Sequence, residues 1–174
     1  RLLNMENLMR IRSIQLVIAG LLGTVQLAAP AFAQSTAGAP QAATSRAPNP
    51  APVHPELAGV FEQFGGLAGL TALNEEFMAL MLADPRLEPY FRDVDRARVT
   101  RQLTEQFCAV LGGGCTYSGR DMVEAHAAFK IERAHFNALV EVLQVAMDKR
   151  GIPFRAQNKL LAVLAPMHRE VVND

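Results

Sequence analysis

One histidine lies in a short segment whose residue types could support metal chemistry. Asp121 is a residue type that caps helices, so a short helix is expected to start there. In such a helix Met122 and His126 are four residues apart and share a face. The pattern has two interpretations. His126 is either a core or surface histidine with a satisfied ring, or a ligand to a metal or a haem iron, because apolar pockets favour neutral imidazole.

The elements that must position this histidine are all predicted to be helices. From Glu56 onward the apolar residues recur with helical spacing, and no run alternates with the period of a strand. The pattern predicts an all-α domain, residues 56–174, with about six helices and one core. Predicted boundaries between helices fall at Gly65-Gly66, Asp84-Pro85, Gly112 to Gly114 and Gly151 to Pro153.

Two further residues predict how individual helices begin and end. Asp95 is expected to cap the helix that carries Val99, Leu103 and Phe107. Pro166 falls late in the last predicted helix and should kink it or remove a backbone hydrogen bond. The glycine-bearing joints between helices do not fit a regular up-down bundle, which prefers short loops and even helix lengths.

The first 33 residues have the pattern of a secretory signal peptide. Residues 1–4 precede the first methionine and are expected to be non-native or untranslated, with translation starting at Met5 or Met9. A basic end, an apolar run over residues 14–29 and the ending Ala31-Phe32-Ala33 predict cleavage after Ala33. The alternative is an uncleaved membrane anchor. Cleavage would give a periplasmic or secreted protein with no stable membrane insertion.

Residues 34–55 are expected to form a disordered linker. They are rich in alanine, proline, serine and threonine, and they have too few large apolar residues to offset the chain entropy of folding. The whole chain has 17 basic and 17 acidic residues, so no charge excess predicts binding to nucleic acid. A monomer is expected.

A series of short motifs resembles the group I truncated haemoglobins in order and spacing. They are Phe64-Gly65-Gly66, Glu76-Phe77, Leu82 to Pro85, Pro89-Tyr90-Phe91, Leu111-Gly112-Gly113, Tyr117-Ser118-Gly119, Met122 with His126, His135-Phe136, and Ala162 to Pro166. Each motif is weak alone, but the ordered set is specific. The resemblance covers the chain after about Leu57 and favours the ligand interpretation of His126.

The resemblance implies a two-over-two helical sandwich that encloses haem b. His126 would be the proximal iron ligand, and its other ring nitrogen would bond an acceptor such as the Met122 carbonyl. Phe91 would stack on the porphyrin. His135 is a rival ligand, but the family often has a histidine there that does not bind iron. The cofactor-binding candidates are Phe77, Met78, Phe91, Val99, Leu103, Phe107, Tyr117, Met122 and Phe136.

The haem propionates would need cations or hydroxyl groups near the pocket mouth. Arg98, Arg101 and Tyr117 are the candidates for this role, and each is also explained as an ordinary solvated group.

The chain departs from the family where hydrogen bonds to bound oxygen are expected. Met78 stands where the family has a tyrosine, and Leu103 stands where a glutamine is common, with Val99 one turn before. None offers a strong donor. Bound O2 carries partial negative charge, and a charge-assisted hydrogen bond contributes about 1.5–3 kcal/mol. Its loss should speed O2 dissociation roughly ten- to a hundred-fold, which leaves NO or CO as ligands that an apolar pocket retains.

The sequence therefore predicts a haem protein that reversibly binds a diatomic gas (O2, NO or CO) and relies on an unidentified reductase. Three alternatives stay open. If the Met78 sulfur reached the iron, the protein would suit electron transfer. The chain could also be an NO-detoxifying or peroxidase-like enzyme, although it lacks distal groups for proton delivery. Finally, it could be a helical interaction module without haem.

Two cysteines flank the central glycine-rich break. No Cys-x-x-Cys-His motif occurs, so covalent c-type haem attachment is not supported. Cys108 and Cys115 could form a disulfide in an oxidising compartment or remain two thiols. A disulfide would fix the joint that leads into the His126 segment.

Overall fold

The computed structural model describes residues 49–173, and every regular element in this part of the chain is helical. The all-α prediction is therefore confirmed. The predicted signal peptide, residues 1–33, and most of the predicted linker lie outside the described residues. Within residues 49–173, no helix combines the length and the apolar character needed to cross a membrane.

Eight α-helices and two 3-10 turns make up the described chain. The helices are α1 (Ala58–Gln63), α2 (Gly66–Ala83), α3 (Glu88–Phe91), α4 (Arg96–Val110), α5 (Met122–His126), α6 (Arg133–Lys149), α7 (Phe154–Leu164) and α8 (His168–Val171). The 3-10 turns are Pro55–Leu57 and Ala165–Met167.

Local sequence signals set several of these boundaries as predicted. Gly65 joins α1 to α2 with a φ of 79°, a left-handed conformation that glycine adopts without strain. The Asp95 carboxylate accepts a hydrogen bond from the Arg98 backbone N–H at 3.1 Å and caps α4. Pro166 lies in the 3-10 turn that separates α7 from α8. Because this interruption divides the last predicted helix, the described chain has more helices than the sequence pattern suggested.

The long helices pack as two crossed pairs. Helix α2 packs on α4, and α6 packs on α7, while α2–α6 and α4–α7 contacts join one pair to the other. This is the two-over-two arrangement that the resemblance implied. The interior between the pairs is filled by fully buried apolar side chains, among them Leu70, Leu73, Met81, Met147 and Leu160. Burial of these side chains is the main stabilising term of the fold.

An extended strap, residues 49–54, lies across the domain before the first 3-10 turn. Ala51 in this strap is only 4% exposed. The Gln106 side-chain Nε2–H donates to the Pro50 carbonyl at 2.6 Å. The packed part of the chain thus begins before Glu56, inside the segment whose composition predicted disorder. The strap is held by the buried Ala51 side chain and by the Pro50 carbonyl, and the amino-acid composition of this segment predicts neither contact.

Cys108 and Cys115 form a disulfide with their Cα atoms 5.6 Å apart. Of the two possibilities that the sequence left open, the bridged one is therefore found. Cys108 is fully buried near the end of α4, and Cys115 is half-buried in the loop that leads to α5. The bridge ties this loop to the helix before it.

Gly69 in α2 should tolerate no side chain, whereas Gly59 in α1 should. A Cβ atom at Gly69 would overlap the Phe64 carbonyl oxygen, whereas one at Gly59 would meet nothing within 4 Å. We expect Gly69→Ala to lower the free energy of unfolding by about 1–3 kcal/mol, because backbone must shift. Gly59→Ala should leave stability unchanged or slightly raised. Urea denaturation measures both, and equal effects would contradict the predicted close approach of α1 and α2.

Candidate functional site

Two adjoining cavities, of about 380 and 250 Å³, lie between α4, α5, α6 and the C-terminal segment. We call them the outer and the inner cavity. The outer one has the charged side chains of Asp93, Asp95, Arg98 and Arg120 among its lining, whereas the inner one is lined mainly by apolar side chains. Residues that line both cavities mark their junction, and these are Gln102, Tyr117, Ala125, His126, Phe136, Leu139 and Val171.

His126 reaches this junction from the short helix α5. The Asp121 carboxylate accepts from the Glu124 backbone N–H at 2.8 Å and caps α5, as the sequence predicted. The His126 ring atom Nδ1 lies 2.7 Å from the Met122 carbonyl oxygen, one turn back. A carbonyl can only accept, so Nδ1 carries the proton and Nε2 keeps its lone pair. This is the partner expected for a histidine that binds a metal through Nε2.

Burial keeps the His126 imidazole neutral. Desolvation lowers the pKa of His126 below its ordinary value of 6.5, and this effect exceeds the opposing contribution of the hydrogen bond to Met122. The nearby Arg120 charge lowers the pKa further. A neutral imidazole is the form that coordinates metals, so the surroundings favour the ligand state near pH 7.

The C-terminal segment holds α5 in place from the other side. Helix α5 packs against α8. Beyond α8, the Asn173 side-chain amide donates to the His126 carbonyl at 3.1 Å, and its Oδ1 accepts from the Ile131 backbone N–H at 2.9 Å. The backbone N–H of Asn173 also donates to the Ile131 carbonyl. These contacts fix the orientation of the short helix, which has too few residues to be stable alone.

His135, the rival ligand, has a structural role at the start of α6. Its Nδ1 accepts from the Glu132 backbone N–H at 3.1 Å and completes a capping box. A neutral ring that accepts through Nδ1 carries its proton on Nε2, which then has no lone pair to offer a metal. These contacts support the interpretation in which His135 lines the outer cavity without acting as a ligand.

The structure gathers most of the predicted cofactor-binding residues around the two cavities. Phe91 and Val99 line the outer cavity. The inner cavity is lined by Phe77, Leu103, Phe107 and Met122, and Tyr117 and Phe136 line both. Met78, on α2, lines neither cavity. Its side chain is 5% exposed and packs in the hydrophobic core of the domain. This position supports a packing role for Met78.

Of the three propionate candidates, the structure brings two to the cavities. Arg98 lines the outer cavity, and Tyr117 lines both. The Tyr117 hydroxyl donates to the Arg120 carbonyl at 2.9 Å, and burial raises the pKa of this phenol. Arg101 lines neither cavity, and it is exposed and pairs with Glu105 at 3.7 Å. Arg120 lines the outer cavity and was not predicted.

Gln102 and Leu139 are the most informative lining residues that sequence reasoning missed. The signal was present, because Gln102 follows Val99 by three residues and precedes Gln106 by four, which places all three on one helical face. Leu139 likewise follows Phe136 by three residues. The prediction used only the apolar residues of the α4 stripe and so omitted Gln102. Gln106, a second polar residue of α4, lines the inner cavity.

Comparison with known proteins identifies the class. The family described as bacterial-like globin matches residues 59–173. A Group 1 truncated hemoglobin of Tetrahymena thermophila is 32% identical over 93 residues, which cover 53% of this chain and 77% of the relative. One of Mycolicibacterium paratuberculosis is 29% identical over 116 residues, covering 67% of this chain and 85% of the relative.

The fold matches as well. The crystal structure of the truncated hemoglobin from Tetrahymena pyriformis in its Fe(III) form superposes with a TM-score of 0.63 at 27% identity, covering 66% of this chain and 98% of that one. The chain belongs to the bacterial-like globin family and has the truncated two-over-two fold. Its function is that of a haem-binding globin, whose general role is to bind a diatomic gas.

The titration of His126 gives a prediction for the cofactor-free protein. Its folded-state pKa is lowered, so the unfolded chain binds more protons between that pKa and about 6.5. Stability should therefore be full above pH 6.5 and decline as the pH falls through this window. Denaturation midpoints between pH 5 and 7.5 should decline less in His126→Leu than in the wild type. An unchanged pH slope in His126→Leu would contradict the assignment.

Proposed function

We propose that this protein binds haem b non-covalently through His126 and reversibly binds a diatomic gas on the opposite side of the iron. The observation that carries the proposal is the state of His126. Its ring is neutral, its Nδ1 is bonded to the Met122 carbonyl, and it reaches the junction of two cavities. Few other roles need a partly buried imidazole with one nitrogen held and the other not bonded to any residue of the range 49–173.

The size and lining of the cavities support haem as the occupant. The outer cavity, with a volume of about 380 Å³, lies in the range for small-molecule and cofactor sites, and the adjoining inner cavity adds about 250 Å³. Haem is a broad, mostly apolar plate, and its apolar walls here include Phe77, Phe91 and Phe136. Arg98 and Arg120, on the outer cavity, offer cations for the propionates. When bound, the haem supplies the iron that takes the gas.

The chain's cysteines support non-covalent attachment, because they exclude a thioether bond to the haem. Both cysteines are joined to each other, and no Cys-x-x-Cys-His motif offers a thiol to a haem vinyl group. We therefore infer the b-type mode, in which burial, the axial nitrogen and the propionate contacts retain the cofactor. Reversible gas binding requires reduced iron, so a reductase of unidentified chemistry is part of the proposal.

The cavity lining bears on which gas is held. Leu103, where the resembling family commonly has a glutamine, and Val99, one turn before it, present hydrocarbon to the two cavities. Neither can donate to the partial negative charge of bound O2. NO and CO, which depend less on such a bond, suit these walls. Ligand binding is favoured over electron transfer, because Met78 would have to leave the packed core before its sulfur could reach the iron.

We also propose that the protein is exported. The pattern of residues 9–33 supports a cleaved signal peptide. The Cys108–Cys115 disulfide supports it independently, since such bonds persist in oxidising compartments. The domain would then act in the periplasm or outside the cell, as a monomer.

Replacement of His126 tests the proposed function. Wild-type protein should give a pyridine-haemochrome spectrum with about one haem per chain. His126→Ala removes the axial nitrogen and should lose haem to an apoglobin acceptor at least tenfold faster, with a changed ferrous spectrum. The matched control His135→Ala should cost stability, because it removes a capping contact, but should keep the axial spectrum. Normal haem content and an unchanged spectrum in His126→Ala would remove the basis of the proposal.

Export can be tested separately. Expression of the full chain in a bacterial host followed by osmotic-shock fractionation should place it in the periplasm, with its N-terminus at Gln34 by mass spectrometry. Ala33→Leu, which disrupts the cleavage site, should leave the longer form attached to membranes. Full-length protein in the cytoplasmic fraction would refute export without affecting the haem proposal.

A further inference from the structure

The two cysteines of the Cys108–Cys115 disulfide differ in their exposure to solvent. Cys108 has no exposed surface and belongs to the hydrophobic core. The backbone of the loop that follows α4 covers its sulfur, since a Cβ atom placed at Gly113 would lie 2.8 Å from Cys108 Sγ. Cys115, in contrast, is half-buried. A reagent from solvent therefore reaches the bridge from the Cys115 side.

A surface groove leads to Cys115. It has a volume of about 960 Å³ and lies between the strap and the loop that precedes α5. Ala51 and Val53 of the strap line it together with Cys115 and Tyr117 of the loop. Its volume is near the upper end of the range of about 300–1,000 Å³ that small-molecule sites occupy. The groove is thus large enough to admit a small thiol to the Cys115 sulfur.

The disulfide is one of two attachments to α4 that bracket Tyr117. On the C-terminal side of Tyr117, the Ser118 backbone N–H donates to the Glu105 carboxylate at 3.0 Å. On the N-terminal side, the bridge ties Cys115 to the last turn of α4. Tyr117 itself lines both the outer and the inner cavity. Opening the bridge therefore removes one of the attachments that hold a cavity-lining residue in place.

We propose that Cys115 is a thiol-exchange site, at which a dithiol reductant opens the disulfide and thereby speeds the release of haem. A thiolate of the reductant attacks Cys115 Sγ, a new S–S bond forms there, and the bond to Cys108 breaks. The electron pair stays on Cys108 Sγ, which takes a proton from water. The second thiolate of the reductant then attacks its own sulfur in the mixed disulfide, so that Cys115 leaves as a thiolate and the reductant becomes a disulfide.

The part of this inference that concerns haem rests on the proposed function, whereas the choice of sulfur does not. Without the bridge the loop gains conformational freedom, and Tyr117 holds the cofactor less firmly. Release should become about three- to tenfold faster, as expected for the loss of one cofactor contact. In an oxidising compartment the bridge persists until such a reductant arrives. The arrival of a dithiol would therefore control how long the domain keeps its haem.

Two single variants test which sulfur exchanges, and this test needs no haem. Cys108→Ser leaves Cys115 as a free thiol, and Cys115→Ser leaves Cys108. Each is incubated with glutathione disulfide, and adducts are followed by intact-mass spectrometry. Cys108→Ser should gain its adduct roughly tenfold faster, because a buried thiol reacts only after local opening. Equal rates in the two variants, with helical circular dichroism spectra in both, would contradict the inference.

The wild-type protein gives the same information if a single variant does not fold. After brief treatment with reduced glutathione, acid quenching and alkylation, peptide mass spectrometry should find glutathione on Cys115 and the alkyl group on Cys108. The reverse pattern, or a bridge that opens only in denaturant, would overturn the assignment of Cys115.

Haem release is measured on protein reduced with dithiothreitol and desalted without oxygen. Reduced wild-type protein should transfer haem to an apoglobin acceptor about three- to tenfold faster than the oxidised form. The matched control is the double variant Cys108→Ser/Cys115→Ser, which should release haem at the fast rate with or without the treatment. Unchanged release after alkylation has shown an open bridge would make the inference wrong. Wild-type protein that takes up no haem would refute the proposed function, and the glutathione test would still decide between the two sulfurs.

Discussion

The hydrogen bond between His126 Nδ1 and the Met122 carbonyl is the contact on which the site depends. It lies within a helix of only five residues, at 2.7 Å. The bond fixes the tautomer, since a carbonyl cannot donate, and it holds the ring against the preceding turn of α5. Burial lowers the pKa of His126 and so disfavours a second proton on Nε2. Together these effects leave a single lone pair directed away from the helix, and the cavities lie beside it.

A helix this short needs support from outside itself, and the fold supplies it at both ends. On the N-terminal side, the Cys108–Cys115 disulfide ties the incoming loop to α4. On the C-terminal side, α8 and Asn173 hold the His126 carbonyl and Ile131. The two crossed helix pairs provide the rigid walls. Precision at His126 thus comes from tertiary contacts, because helix propensity over five residues is too weak to provide it.

Sequence reasoning predicted the parts of this arrangement that follow local rules. Asp95 and Asp121 cap helices through their own carboxylates, Gly65 takes a left-handed conformation, and Pro166 interrupts the last helix. Spacing within α5 placed Met122 and His126 on one face. The fold was predicted from the resemblance that the ordered motifs carry, because their order along the chain reflects a topology that no single helix specifies.

What escaped prediction depends on contacts between distant segments. The burial of Ala51 and the bond from Gln106 to Pro50 join residues more than fifty positions apart, and nothing in the composition of the strap announces them. The sequence pattern of α4 did not single out Gln102, because its apolar residues alone predicted the pocket-facing stripe, and only the tertiary structure shows that Gln102 lines both cavities. The resemblance placed Met78 among the haem-pocket residues, and in the structure it packs in the hydrophobic core and lines neither of the two cavities.

The clamp made by Asn173 has a consequence for the order of events after synthesis. Its partner His126 lies 47 residues earlier in the chain. The segment that carries His126 cannot gain this contact until the 47 residues that follow His126 have been synthesised. The helices that precede α5 can pack earlier, so the orientation of the His126 ring is among the last features of the fold to be fixed.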